Sequence, residues 1–258
     1  MKTNSFKARL KARQQQIGIW SMLASCNVLE VLTQSSYDWV LIDSEHAPND
    51  VPMVLEQLRT VAQGDMPALV RPVVNDTIII KRMLDIGAQT LIIPMVDTAD
   101  DARRAVAAMR YPPLGIRGVS AGTRANRYGR DADYFAQVDN ETCLVVQIES
   151  AAGLGNIEEI AAVDGVDALF VGPSDLAAAL GHLGDNKHPD VQKQIHAARE
   201  RCHAAGKPIG ILMPDAELAA EYTRSGFDFV AITTDITLLR SGAEAALRNL
   251  AESTRQGV

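Results

Sequence analysis

Short β-type apolar runs alternate with helical patterns along almost the whole chain, and this alternation narrows the choice of fold more than any single motif. Eight runs read as strands: Ile17–Leu23, Asp38–Asp43, Ala68–Arg71, Thr90–Met95, Cys143–Glu149, Ala168–Gly172, Pro208–Met213 and Phe229–Thr233. Several are unbroken Val/Ile/Leu stretches, the signature of strands buried on both faces of a parallel sheet. Between them, apolar residues at three- and four-residue spacing predict helices over Val51–Gln63, Asp76–Ile86 and Thr98–Arg110, the second ended by Gly87. Gly153–Val163, His188–Ala205, Ala216–Ser225 and Leu238–Ala251 supply the later helices. Eight strand–helix units in 258 residues match an α/β fold of one (β/α)8 TIM barrel. A doubly wound open sheet is the competing arrangement, and the strand count favours the barrel. No linker, repeat or low-complexity tract divides the chain, so residues 1–258 read as one domain.

Composition removes several function classes. The formal net charge is −7, where a dedicated nucleic-acid binder is usually basic. No apolar stretch approaches the ~20 residues that span a bilayer. The basic N-terminus lacks the apolar segment of a secretory signal and reads as a solvated first helix. Cys26, Cys143 and Cys202 have no paired spacing, which suits a reducing cytoplasm.

Barrel active sites form at the C-terminal ends of the strands. Strand two runs into Asp43-Ser44-Glu45-His46, strand three ends at Arg71-Pro72, strand five at Gln147-Ile148-Glu149-Ser150, and strand six at Gly172-Pro173-Ser174-Asp175. Gln147 and Glu149, two apart on a strand, face the same side. Glu149 and Asp175 end neighbouring strands with no obvious lysine partner, so they would repel unless a cation sat between them. All-oxygen ligation suits a hard divalent ion. Plainer readings exist for each residue alone. Asp175 could cap the helix Leu176–Leu180, Glu149 or Arg71 could join a structural ion pair, and His46 could simply pack or hydrogen-bond. Their joint placement at strand exits favours chemistry. None of the seven lysines falls at a strand's C-terminal end, which argues against an imine mechanism. Asp85 lies in the last turn before Gly87, where a negative charge opposes the helix dipole. The irregular stretch Tyr111–Arg130 holds Arg117, Arg124, Arg127 and Arg130, and long structureless connections are usually functional. It is expected either to hold a distal polar group of a substrate or to meet a neighbouring subunit.

The segments IDSEHAP (Ile42–Pro48), VRP (Val70–Pro72), RYPPLGIRGVS (Arg110–Ser120), VQIES (Val146–Ser150) and VGPSDLAAALGHLG (Val171–Gly184) carry a family resemblance. Together they resemble the metal-dependent, pyruvate-specific class II aldolases that cleave 2-keto-3-deoxy sugar acids and 4-hydroxy-2-oxoheptanedioate. RANRYG, ADYFAQ and HPDVQK look most like the 2-dehydro-3-deoxyglucarate aldolases, and DIGAQTLIIPMVDTA like the keto-deoxy-rhamnonate branch. The resemblance implies His46 as general base, Arg71 as the enolate stabiliser, and Asp85 as the group that raises the basicity of the histidine. It implies Glu149 and Asp175 as metal ligands, with Gln147 and the main chain near Ser174 and Asp175 on the keto acid. It further implies Mg²⁺, Mn²⁺ or Co²⁺ as cofactor, a small-molecule keto acid and aldehyde as partners, and a hexamer with an exchanged C-terminal helix. Asp85 is then expected to come from a neighbouring subunit. Two positions depart from the pattern: Ser44 replaces a glycine, and Ala231-Ile232-Thr233-Thr234-Asp235 replaces a Val-Gly-x-Asp ending. An acyl-CoA lyase of the citrate-lyase β type is the rival reading, and a non-catalytic keto-acid-binding barrel a second.

Overall fold

The computed structural model describes residues 1–255. Its strands are β1 (Gln16–Ser21), β2 (Trp39–Asp43), β3 (Ala68–Arg71), β4 (Thr90–Ile93), β5 (Cys143–Ile148), β6 (Ala168–Val171), β7 (Ile209–Leu212) and β8 (Phe229–Thr234). They pair in parallel, in sequence order, and β8 closes onto β1. The helices are α1 (Ser5–Lys11), α2 (Cys26–Thr33), α3 (Val51–Val61), α4 (Thr77–Asp85), α5 (Ala99–Met109), α6 (Tyr134–Glu141), α7 (Ala151–Gly155) and α8 (Ile157–Ala161). They continue with α9 (Pro173–Ala179), α10 (Pro189–Ala204), α11 (Ala216–Ser225) and α12 (Asp235–Arg255). This is the expected closed barrel.

Strand parity sorts the side chains into two cores. Trp20, Leu41, Leu69, Ile92, Val145, Phe170, Phe229 and Ala231 fill the barrel interior. Their strand neighbours Val40, Ile42, Val70, Leu91 and Val146 face outward onto the helices. Local signals set the helix starts. Asp76 accepts from the Ile78 and Ile79 amides to open α4, and Thr98 with Asp101 forms a capping box at α5.

Four elements differ from the sequence expectation. The stretch Gly153–Val163 is two short helices, because the chain breaks at Asn156, whose amide donates to the Asp97 carbonyl at 2.7 Å. The expected helix Leu238–Ala251 is the middle of the longer α12, which begins directly from β8. The helix that Asp175 was to cap begins earlier, at Pro173, so Asp175 sits inside its first turn and does not cap it. Finally, α1 is not a solvated helix. Phe6 is fully buried and meets Trp39 and Phe229 edge-on, with ring centroids 5.9 and 5.3 Å away. It plugs the N-terminal end of the barrel, a long-range contact with no local sequence signal. No helix among the described residues is long and apolar enough to cross a membrane.

Candidate active site

The inward parity that buries Leu41, Leu69 and Val145 also turns Asp43, Arg71 and Gln147 inward, at the C-terminal ends of β2, β3 and β5. Asp43 and Arg71 are level in the β2–β3 register. Arg71 donates to Asp43 through Nε at 2.8 Å and Nη2 at 2.7 Å, a planar two-point fork. Its guanidinium lies 5.0 Å from the Trp20 ring centroid, and Trp20 Nε1 donates to Asp43 Oδ2 at 3.3 Å. Arg71 Nη1 faces the mouth, 2.7 Å from Glu45 Oε2 and 3.5 Å from Gln147 Oε1. Gln147 passes the contact on, its Nε2 donating to Glu149 Oε2 at 3.0 Å. The other Glu149 oxygen accepts the Met95 amide at 2.7 Å. Met95 holds a left-handed backbone, φ 51°, an uncommon state for a side-chain-bearing residue. Beneath them, Gly172 leaves room: a Cβ there would lie 2.4 Å from Glu149 Oε2.

The charges at this mouth are unevenly settled. Burial works against ionised Asp43, yet the Arg71 fork holds its carboxyl below the usual value. Arg71 is likewise buried, and Asp43 and Glu45 hold it protonated. Burial raises Glu45, with His46 and Arg71 offsetting part of the rise and Asp175 adding to it. Burial pushes Glu149 up to about 7, and the negative charges of Glu45 and Asp175 add to the effect. Ionised Glu149 is therefore disfavoured in this setting, and a nearby cation would favour it.

The exits of β2, β3, β5 and β6 thus gather Glu45, Arg71, Gln147, Glu149 and Asp175 around one opening. Ser174 and Asp175 are exposed on the first turn of α9. His46 is also exposed, with Nε2 3.8 Å from Glu45 Oε2. Asp85 lies elsewhere. It ends α4, which feeds the N-terminal end of β4, so within one chain it occupies the opposite rim from His46. Its carboxylate accepts from Arg117 Nη2 at 2.7 Å. Arg117 is fully buried, stacked on Tyr111 with its guanidinium carbon 4.5 Å from the ring centroid. Arg124 donates to the carbonyls of Ile86 and Leu58, binding the ends of α4 and α3. The arginine-rich stretch therefore packs at the far rim of its own barrel, and Arg127 and Arg130 are exposed there.

Four contributors escape the sequence reading. Asp43 and Glu45 appear there only as polar exit residues, although the two-residue step from Leu41 to Asp43 carries the signal for the first. The Met95 amide depends on backbone shape, and Gly172 on a steric contact between neighbouring strands, neither of which has a residue-type signature. The two departures from the family pattern have structural settings. Ser44 is buried beside the fork, its amide bonded to the Arg71 carbonyl at 2.9 Å. Asp235 caps the turn after β1, accepting from the Met22 and Leu23 amides and the Ser21 hydroxyl.

Residues 16–242 match the pattern of the HpcH/HpaI aldolase/citrate lyase family. The chain is 49% identical over 242 residues to a pyruvate aldolase of Rhizobium etli, covering 94% of this chain and 95% of that one. It is 50% identical over 241 residues to a 5-keto-4-deoxy-D-glucarate aldolase of Salmonella arizonae, covering 93% and 94%. Among solved structures, an HpcH/HpaI aldolase/citrate lyase family protein from Burkholderia cenocepacia superposes with a TM-score of 0.94 at 40% identity, covering 96% of this chain and 100% of that one. On the extent of the matched barrel and on these identities, the chain belongs to the HpcH/HpaI aldolase/citrate lyase family.

Proposed function

We propose that this protein is a metal-dependent aldolase that reversibly cleaves 2-keto-3-deoxy-4-hydroxy acids to pyruvate and an aldehyde. The observation that carries the reading is the Arg71–Gln147–Glu149 chain of contacts, set beside Asp175 and Glu45 at the barrel mouth. The relative named for 5-keto-4-deoxy-D-glucarate supports a substrate class. Numbered from its other end, that six-carbon diacid is a 2-keto-3-deoxy acid. Breaking its C3–C4 bond leaves pyruvate and tartronate semialdehyde.

The donor set fits a hard divalent ion such as Mg²⁺, with Mn²⁺ and Co²⁺ sharing the same oxygen preference. Glu149 is costly to ionise alone, and an added cation would relieve that cost. Held by Glu149 and Asp175, the ion supplies Lewis acidity toward the keto oxygen. The chain's own residues do the rest. Gln147 and the first-turn amides at Ser174 and Asp175 orient the keto acid. His46 takes the proton of the C4 hydroxyl, and the C3–C4 electron pair passes to C3 as the aldehyde forms. Arg71 meets the enolate charge that develops on the pyruvate half. Fixed beforehand by Asp43 and Trp20, it needs no reorganisation during the step. Protonation at C3 then completes pyruvate.

Asp85 serves His46 only across a subunit boundary, so assembly is part of the proposal. α12 presents exposed Leu239, Leu247 and Leu250, an apolar strip suited to a second copy, as in the expected hexamer with an exchanged C-terminal helix. Sedimentation as a monomer at assay concentration would remove Asp85 from the mechanism. Proton NMR of pyruvate in D₂O tests the reaction itself without choice of aldehyde. Loss of the methyl signal with Mg²⁺, and its persistence with EDTA, is expected. No exchange with any divalent ion would sink the aldolase reading and turn attention to CoA esters.

A further inference from the structure

Away from the mouth cluster, another group of ligand-type side chains is drawn together among the described residues: His182, His188 and Asp190. His182 lies on the connection after α9, His188 is the N-cap residue of α10, and Asp190 is in that helix's first turn. We propose that these three side chains form a second metal site, selective for Zn²⁺, Ni²⁺ or Cu²⁺ and chemically distinct from the all-oxygen mouth.

The geometry comes from the backbone. The His182 amide bonds to the Ala177 carbonyl at 2.8 Å, Asp185 to His182 at 2.9 Å, and His188 to Asp185 at 3.2 Å. Gly181 and Gly184 take left-handed conformations, φ 85° and 81°, that fold this short connection back on itself. The result stacks the two imidazoles, with centroids 3.5 Å apart and planes 15° from parallel. Asp190 Oδ2 lies 3.8 Å from His182 Nε2 and 3.8 Å from His188 Nδ1. One potential donor atom from each residue falls within 4.8 Å of the others.

A tetrahedral zinc site with bonds near ~2.1 Å places its donors roughly 3.4 Å apart. Each carboxylate–imidazole pair is therefore a few tenths of an ångström from ligating distance. The rings must fan apart so that their lone pairs converge. Both face solvent in part, 27% of the His182 side chain and 33% of the His188 side chain being exposed. Binding exchanges one existing contact, the 3.2 Å bond from the Asp190 amide to His188 Nδ1. Two imidazoles and one carboxylate favour borderline ions over Mg²⁺, which prefers oxygen and keeps its waters. Solvent completes the shell. The site tethers the connection that follows α9, the helix carrying Asp175, to the start of α10.

Protein stripped with chelator is dialysed against Zn²⁺ in excess Mg²⁺, and bound zinc is measured by atomic emission. Wild type and a Glu149→Gln/Asp175→Asn variant are each expected to hold one zinc more per chain than the same protein carrying His182→Asn and His188→Asn. Asparagine at 188 keeps a capping oxygen for α10, so the helix start survives the change. His182→Asn alone leaves that cap untouched and is expected to weaken zinc binding at least tenfold. Equal zinc content with and without the histidines, or full displacement by Mg²⁺, would overturn the second site.

Discussion

Gly172→Ala isolates the geometry of the mouth from its chemistry, because no ligand, base or charge is changed. Gly172 has φ −90° and ψ 91°, open to any residue, so the backbone tolerates alanine. The space does not. The new Cβ would lie 2.4 Å from Glu149 Oε2 and 2.9 Å from Glu149 Cβ. Regaining an ordinary contact of about 3.5 Å moves the carboxylate by roughly 1 Å. Metal ligands tolerate displacements of only about 0.2 Å. A misplacement of about 1 Å costs on the order of 10²-fold in rate. Overpacking of this kind destabilises by about 1–3 kcal/mol, which a 258-residue barrel survives. The expected result is a folded protein whose metal-dependent deuterium exchange into pyruvate falls about 100-fold, with metal affinity falling alongside. Gly155→Ala is the control, because a Cβ there meets nothing within 4 Å. Wild-type exchange and metal affinity in a folded Gly172→Ala protein would refute the idea that this glycine seats Glu149.

Other outcomes follow from the same contacts. His46→Ala should lose about 10²–10⁴-fold in kcat, measured by aldol cleavage, and leave the fold intact because the side chain is exposed. Arg71→Lys keeps the charge but loses the fork, so kcat should drop with KM little changed; a change in KM alone would contradict the enolate role. Arg71→Ala is a poorer probe, since it strands buried Asp43 and should destabilise by about 3–5 kcal/mol. Phe6→Ala should cost about 3–5 kcal/mol in chemical denaturation yet leave kcat unchanged at 25 °C, because the plug is at the far rim. Glu149 titrates near 7 in the folded chain against 4.5 in an unstructured one, so its neutral form is the stable one when folded. Stability is then fully present below about 4.5 and drains away as pH rises through about 7. The loss is on the order of 3 kcal/mol, read as a difference between wild type and Glu149→Gln unfolded without metal across that range. Parallel stability–pH curves would contradict it.

Much of the mouth was legible because a barrel strand has a fixed parity and a fixed exit. Once Leu69 and Val145 are read as interior, Arg71, Gln147 and Glu149 must face the same space. The eight apolar runs identified every strand, with ends shifted by a residue or two where capping and loop contacts decide them. What stayed hidden was relational. Nothing local announces that Phe6 will meet Trp39 and Phe229 edge-on, residues 33 and 223 positions away. The separation of Asp85 from His46, by contrast, was legible, because Asp85 ends a helix and a helix end lies at the rim opposite the strand exits. The apolar and glycine-rich Gly153–Val163 read as one helix because the breaking contact comes from Asp97, on another connection.

The aromatic cork at the far end of the barrel has a kinetic consequence. With Trp20, Leu41, Leu69, Val145 and Phe170 filling the interior and Phe6 seated against Trp39 and Phe229 below them, Arg71 is reached from the mouth alone. Arg71 lies behind that opening at 7% exposure and His46 in front of it at 57%. With Arg71 and His46 in the roles proposed above, the pyruvate half of a substrate is the inner half, and the aldehyde half blocks its way out. Release is then compulsory in order: aldehyde first, pyruvate last. In the condensing direction the queue reverses, and pyruvate must be seated before an aldehyde arrives.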